Sequence, residues 1–308
     1  MKEITDYGKV FETLVQKTQD YLVRNNINCM VLGISGGIDS TVVAAICHEV
    51  FMRTDIPLIG TSLPTKFNKE AEITTADLVG KAFCNDYKEI PIMYPYSAFL
   101  DFLEAAGDAT TPISNGNIQA RLRMMYLYNL ASIHKGIVMD TDNLTENNLG
   151  YFTIHGDVGD FNPIGGLWKT EVFELAAWLV SDYYKQYTFD NPEKDSKVFA
   201  KTQAIMESLK LKPTAGLGIT DSDLDEIGAE SYDQVDSILQ EILAWKWLSL
   251  EKRGDTYDSI WDMRDAFLEE QQMLDTPIKV IIAVTDRHFK SEFKRKQLPI
   301  KITREEIV

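Results

Sequence analysis

The stretch "CMVLGISGGIDSTVVAA" (29–45) constrains the fold more than any other. A short unbroken apolar run, 29–34, predicts a central parallel strand covered on both faces. Two glycines interrupt it, and an apolar helical pattern, Thr41–Met52, follows. A strand that turns through glycines into a helix leaves unpaired N–H groups and a positive dipole end facing the turn. That arrangement receives anions, above all phosphates. Gly36 and Gly37 leave room for a ligand against the backbone, and Ser35 and Ser40 can add hydroxyls. Asp39 would repel a phosphate unless a cation lay between them, which implies Mg²⁺.

Further strands are expected at 56–63, 88–92 and 136–140, with helices at 7–24, 69–83 and 117–134 between them. This alternation specifies an α/β, Rossmann-like parallel sheet flanked by helices, over about 29–165. Ligands of such sheets lie beyond the carboxyl ends of the strands, where both "SGGIDS" and "TDNLTE" fall. After residue 169 the pattern is mostly helical: 170–184, 196–208, 232–251, 257–273 and 277–292. "YTFDNPEKDSK" (187–197) reads as an exposed loop. Trp245, Trp247 and Trp261 are expected mainly in the core.

The charge balance, 31 basic against 47 acidic residues, gives −16 and disfavours general nucleic-acid binding. Cys29, Cys47 and Cys84 have no CxxC spacing and read as buried thiols in a reducing compartment. The start "MKEITDYGKV" carries no apolar signal core, so a cytoplasmic chain is expected. No G-x-x-x-x-G-K-[ST] phosphate loop and no dinucleotide G-x-G-x-x-G occurs.

The SGGxDS string resembles the pyrophosphate-binding loop of the N-type ATP pyrophosphatases, which split ATP between its α and β phosphates and adenylate a substrate oxygen. "GNIQARLRMMYLYNLA" (116–131), "DTDNLTE" (140–146), "GDVGDFNPIGGLWKTEVFELA" (156–176), "KPTAGL" (212–217) and "SEFKRKQLPI" (291–300) follow in order. Together these are similar to ammonia-dependent NAD synthetase, an adenine nucleotide alpha hydrolase-like fold, over about 30 to 300. The resemblance implies one synthetase domain over 1–308, with a helical C-terminal portion from about 170, and no glutaminase domain. It implies that ATP, deamido-NAD and ammonia give NAD, AMP and pyrophosphate.

By the same resemblance, Gly33, Ile34, Ser35, Gly36, Gly37, Ile38, Asp39, Ser40, Thr141, Lys169 and Thr214 would bind ATP. Asp39 and Glu146 would hold Mg²⁺. Lys169 would also be catalytic, offsetting charge on the departing pyrophosphate. Arg121, Asp160, Phe293 and Lys294 would contact deamido-NAD; Arg123, two residues on, faces elsewhere on the helix. "TDNLTE" by itself reads equally as a helix cap. Two positions depart from the family pattern: Ile154 where many bacterial members have Lys, and Phe293 where His is common. The segments 101–114 and 187–210 are additions of unassigned role. Family members are homodimers with substrate sites at the subunit boundary, so a dimer is expected. Another adenylating amidase or thiolase, or a nucleotide sensor without turnover, is the alternative.

Overall fold

The computed structural model describes residues 3–187, 192–214, 222–270, 276–295, 300–301 and 304–307. Four parallel strands form the main sheet in the order β3-β2-β1-β4. They are β1 (Met30–Gly33), β2 (Leu58–Ser62), β3 (Asp86–Glu89) and β4 (Ile137–Val138). The connections between them carry α2 (Ile38–Thr54), α3 (Glu70–Phe83), α4 (Met93–Ala106) and α5 (Pro112–His134). The helix α1 (Tyr7–Arg24) precedes β1; Asp6 caps it by accepting from the Lys9 amide.

The pleat explains why β1 is apolar without alternation. Met30 and Leu32 enter one core, with Leu14, Val42, Val79 and Leu175. Cys29 and Val31 enter another, with Met124, Leu127 and Val138. Successive side chains point to opposite faces, and helices cover both. The strand order reverses at β1: β2 and β3 lie on one side, β4 on the other. This switch point puts the ends of β1 and β4 side by side at the sheet's carboxyl edge.

Beyond β4 come α6 (Leu144–Leu149), β5 (Phe161–Asn162) and α7 (Lys169–Trp178), the last running into a π-helical turn, Leu179–Tyr183. Then follow α8 (Pro192–Lys210), α9 (Asp223–Ile227), α10 (Tyr232–Lys246), α11 (Ile260–Glu270) and α12 (Ile278–Lys290). Short pieces close the chain: α13 (Glu292–Arg295), β6 (Ile300–Lys301) and α14 (Arg304–Ile307). A separate core gathers α10, α11 and α12 around Ile238, Ile242, Phe267 and Val284, with Leu149 and Trp168 reaching in from the site.

Several expectations need correction. Residues 192–197 are not a loop: α8 begins at Pro192, a residue suited to a first helical turn, and 188–191 lie outside the described residues. Segment 101–114 is the end of α4 and the start of α5, where Thr111 and Ser114 form a reciprocal cap. β3 ends at Glu89 rather than running through 92, since Pro91 has no N–H for a ladder. The C-terminal portion is mostly helical, as expected, with a short strand, β6, paired in parallel with β5. Trp245 is 7% exposed, but Trp247 and Trp261 are about half exposed, at 55% and 48%. The thiols are free, with Cys29 and Cys47 buried and Cys84 partly so. No described helix is long and apolar enough to cross a membrane.

Candidate active site

The turn Ser35–Gly37 links β1 to α2. Gly36 has φ +84°, and a Cβ there would lie 2.4 Å from the Glu72 carbonyl oxygen. Only glycine fits, on both counts. Gly37 caps α2, whose first turn therefore includes Asp39 and Ser40. Ser35 Oγ accepts from the Gly37 amide at 3.1 Å and lies 3.0 Å from Ser40 Oγ, while Ser40 Oγ donates to the Gly37 carbonyl.

The segment after β4 faces this turn. Asn143 caps α6: its Oδ1 accepts from the Glu146 amide, and Glu146 Oε2 accepts from the Asn143 amide. The helix-cap reading of "TDNLTE" is thus correct, but it leaves Glu146 Oε1 free to face inward. Lys169, the first residue of α7 and 1% exposed, sends Nζ to Asp39 Oδ2 at 2.5 Å and to Glu146 Oε1 at 3.0 Å. Asn143 Nδ2 donates to the other Asp39 oxygen at 2.9 Å. Residues 39, 143, 146 and 169, from the starts of three helices, make one polar knot.

Its electrostatics are uneven. Burial opposes the Lys169 charge, but Asp39 and Glu146 outweigh it and hold the pKa well above the ordinary lysine value. One ammonium answers two carboxylates. Burial pushes Glu146 up to about 8, against the pull of Lys169 and with Asp39 adding to the rise. A second positive charge would suit this pair. Mg²⁺ commonly takes one or two carboxylates, with phosphate oxygens and water completing its shell. Asp39 and Glu146 already converge on one cation, so they fit that role; among the described residues no third His, Cys, Asp or Glu joins them.

Around the knot lies a cavity of about 510 Å³. Of the residues singled out in the sequence, Gly33, Ile34, Ser35, Gly37, Ile38, Asp39, Ser40, Thr141, Glu146, Lys169, Thr214 and Lys294 line it; Gly36 shapes the turn but is not among the lining residues. Thr214 Oγ1 donates to Glu72 Oε1 at 2.9 Å across the mouth. Lys294 Nζ donates to the carbonyls of Gly150 and Phe152, at 2.8 and 2.6 Å. Residues 215–217 of "KPTAGL" and 296–299 of "SEFKRKQLPI" lie outside the described residues.

Three expected substrate contacts are not among the cavity's lining residues. Arg121 is exposed and donates to the Ile154 carbonyl at 3.3 Å. Asp160 accepts from the Tyr128 hydroxyl and the Val138 amide. Phe293 is 61% exposed. Arg123, set aside in the sequence, does line the cavity. The inward stripe Ala120, Met124, Leu127 and Ala131 on α5 was the available signal: residue 123 flanks that stripe and 121 lies away from it. Also unread in the sequence were Asn143, Asp142, Asp157 and the tyrosines on Asp223. Tyr151 and Tyr232 hydroxyls donate to Asp223 at 3.0 and 3.2 Å, and Lys169 Nζ lies 5.6 Å from the Tyr232 ring centre.

A family model described as NAD synthase matches residues 10–298. The chain is 34% identical over 215 residues to an NH(3)-dependent NAD(+) synthetase of Methanococcoides burtonii, covering 70% of this chain and 72% of that one. It is 34% identical over 238 residues to the Thermoplasma acidophilum protein of the same description, covering 77% and 85%. Among solved structures, NMN synthetase from Francisella tularensis superposes with TM-score 0.69 at 27% identity, over 95% of this chain and 97% of that one. The NH3-dependent NAD synthetase of Campylobacter jejuni, solved with nitrate, gives 0.53 at 27% identity, over 68% and 99%.

Proposed function

The chain belongs to the NAD synthase family, and we propose that the cavity at its β1–β4 switch point is where it uses ATP and ammonia to amidate deamido-NAD. The enzyme is a ligase forming a C–N bond; NAD, AMP and pyrophosphate are the products. The observation that carries the assignment to this cavity is the Lys169 bridge between Asp39 and Glu146 beside the glycine turn. A carboxylate is a poor acyl donor. Adenylation turns its oxygen into a leaving group, and ammonia then displaces AMP.

The α2 amides, Ser35 and Ser40 hold the terminal phosphates as one departing unit. Lys169 neutralises charge that develops on that unit. Thr141 and Thr214 position the nucleotide. Asp39 and Glu146 would hold Mg²⁺, which when bound supplies positive charge beside the phosphates. Positioning, with no side-chain nucleophile, accounts for the rate.

Lys294 contacts the deamido-NAD. Arg121, Asp160 and Phe293 act on it from outside the cavity, at a boundary with a second copy of the chain. On α5, Arg121, Met125 and Tyr128 recur at spacings of four and three, and all three are exposed. This shared outer face supports a homodimer.

One further observation bears on the acid. The Francisella structure covers nearly the whole chain and is named for NMN synthesis, which supports nicotinate mononucleotide as a second substrate. Ile154 and Phe293, apolar where family cations are common, favour the same shortened acid.

Mixing the protein with ATP, Mg²⁺, ammonium and either acid tests all of this. AMP should appear in step with amide, and glutamine should not replace ammonium. ADP with inorganic phosphate, or no amide from either acid, would overturn the reading.

A further inference from the structure

The cations that line the cavity are not answered alike. Lys169 meets Asp39 and Glu146, and Arg287 meets Glu226 at 2.7 Å. Arg123 meets only neutral oxygens: Nε donates to the Leu63 carbonyl at 3.0 Å and Nη2 to Asn68 Oδ1 at 3.4 Å. Among the described residues no carboxylate pairs with it. Burial disfavours its charge, and Asp157 and Glu72 compensate only from a distance. A half-buried guanidinium without a counter-ion is left with charge to answer, so a site that keeps one is matched to a charged ligand.

Its place narrows which charge. Leu63 follows β2, and β2 pairs with β1 so that Thr61 stands beside Gly33 and accepts from the Ile34 amide at 2.9 Å. Arg123 is therefore anchored to the end of the strand beside the one that leads into the glycine turn. It lies on the β2 side, whereas Glu146 and Lys169 come after β4. A nucleotide whose terminal phosphates rest on the α2 amides has its next phosphate to place. The guanidinium edge not used by Leu63 and Asn68 presents a planar fork for two phosphoryl oxygens.

We propose that Arg123 binds the α-phosphate of the nucleotide, the group transferred in adenylation. This rests on the ATP-dependent reading of the cavity. The same fork could take a carboxylate, and the experiment separates the two sources.

The test compares Arg123→Met and Arg123→Lys with the unaltered chain by calorimetry, using AMP, pyrophosphate and nicotinate mononucleotide as separate probes. AMP carries the α-phosphate alone, and pyrophosphate reports the turn. Arg123→Met should weaken AMP about 10- to 100-fold, the usual worth of a charge-assisted contact. Arg123→Lys should recover part of that, being a point charge rather than a fork. Pyrophosphate affinity and melting temperature should stay as they were. Unchanged AMP affinity overturns the proposal; if the mononucleotide weakens instead, the fork serves the acid. Parallel loss of AMP, pyrophosphate and melting temperature also overturns it, as a structural prop. None of these titrations needs turnover, so an unaltered chain that makes no amide would sink the functional reading separately.

Discussion

Lys169 is a single buried cation shared by two acids, and the site's chemistry depends on that imbalance. Asp39→Asn and Glu146→Gln each remove one negative charge while nearly keeping shape. Each should lower amide formation by orders of magnitude and raise the Mg²⁺ needed for half-maximal rate. Near-normal rates in both variants at limiting Mg²⁺ would reject the metal assignment. Gly36 gives a second, independent test. At φ +84° with a carbonyl 2.4 Å from the added methyl, Gly36→Ala cannot keep the turn. Pyrophosphate binding should fall at least tenfold, while far-ultraviolet circular dichroism stays native. Gly36 and Asp39 were legible because strand, glycines, hydroxyls and acid stand side by side; Glu146 was legible only from its place after a second strand end. Arg123 was not. Two arginines two apart on one helix look alike until the packed stripe of α5 decides which one turns inward.

At the scale of elements, β1 and β2 were legible because each is a short, mostly apolar run bounded by turns, whereas β3, Asp86–Glu89, is a polar edge strand and its bounds were misplaced. The body of α8 was legible at 196–208, but its start was not, because those residues are charged and begin with Pro192 after Asn191. What fixes α8 is contact with the rest of the fold. Ser208 meets Thr41 of α2 through a buried hydroxyl pair at 2.7 Å. Lys201 Nζ lies 2.6 Å from His48 Nε2, whose Nδ1 lies 2.9 Å from the Phe83 carbonyl. A lysine can donate to that nitrogen only while the ring is neutral. Burial, and then Lys201, pull the His48 pKa down from 6.5 to about 4. Stability carried by the neutral ring is whole above pH 6.5 and is lost as pH falls toward 4. By pH 5 the loss is about 2 kcal/mol at 1.4 kcal/mol per unit. The melting temperature of His48→Gln should therefore change less between pH 7 and pH 5 than that of the parent. Equal slopes would show that this contact does not govern acid stability.

The whole molecule has a cavity that accounts for the nucleotide residues and a surface that holds much of the expected acid-binding set. Arg121 sits on the outer face of α5 with Met125, 65% exposed, and Tyr128, 39% exposed. Tyr128 in turn holds Asp160. Neighbouring α4 adds Tyr94, Phe99 and Phe102, all exposed. An apolar surface of this kind is suited to burial against a second copy, the homodimer proposed above. The consequence is a split between two kinds of binding. Met125→Glu places a charge at the face without touching the core or the glycine turn. Sedimentation should show the proposed dimer for the unaltered chain and a monomer for this variant at micromolar concentration. The monomer should still bind pyrophosphate with unchanged affinity, since Ser35, Gly37, Asp39 and Lys169 belong to one chain. The Michaelis constant for deamido-NAD should rise at least tenfold, because Arg121, Asp160 and Phe293 lose the copy that closes over them. A monomer that keeps its affinity for deamido-NAD would place the acid within one chain and overturn the boundary reading.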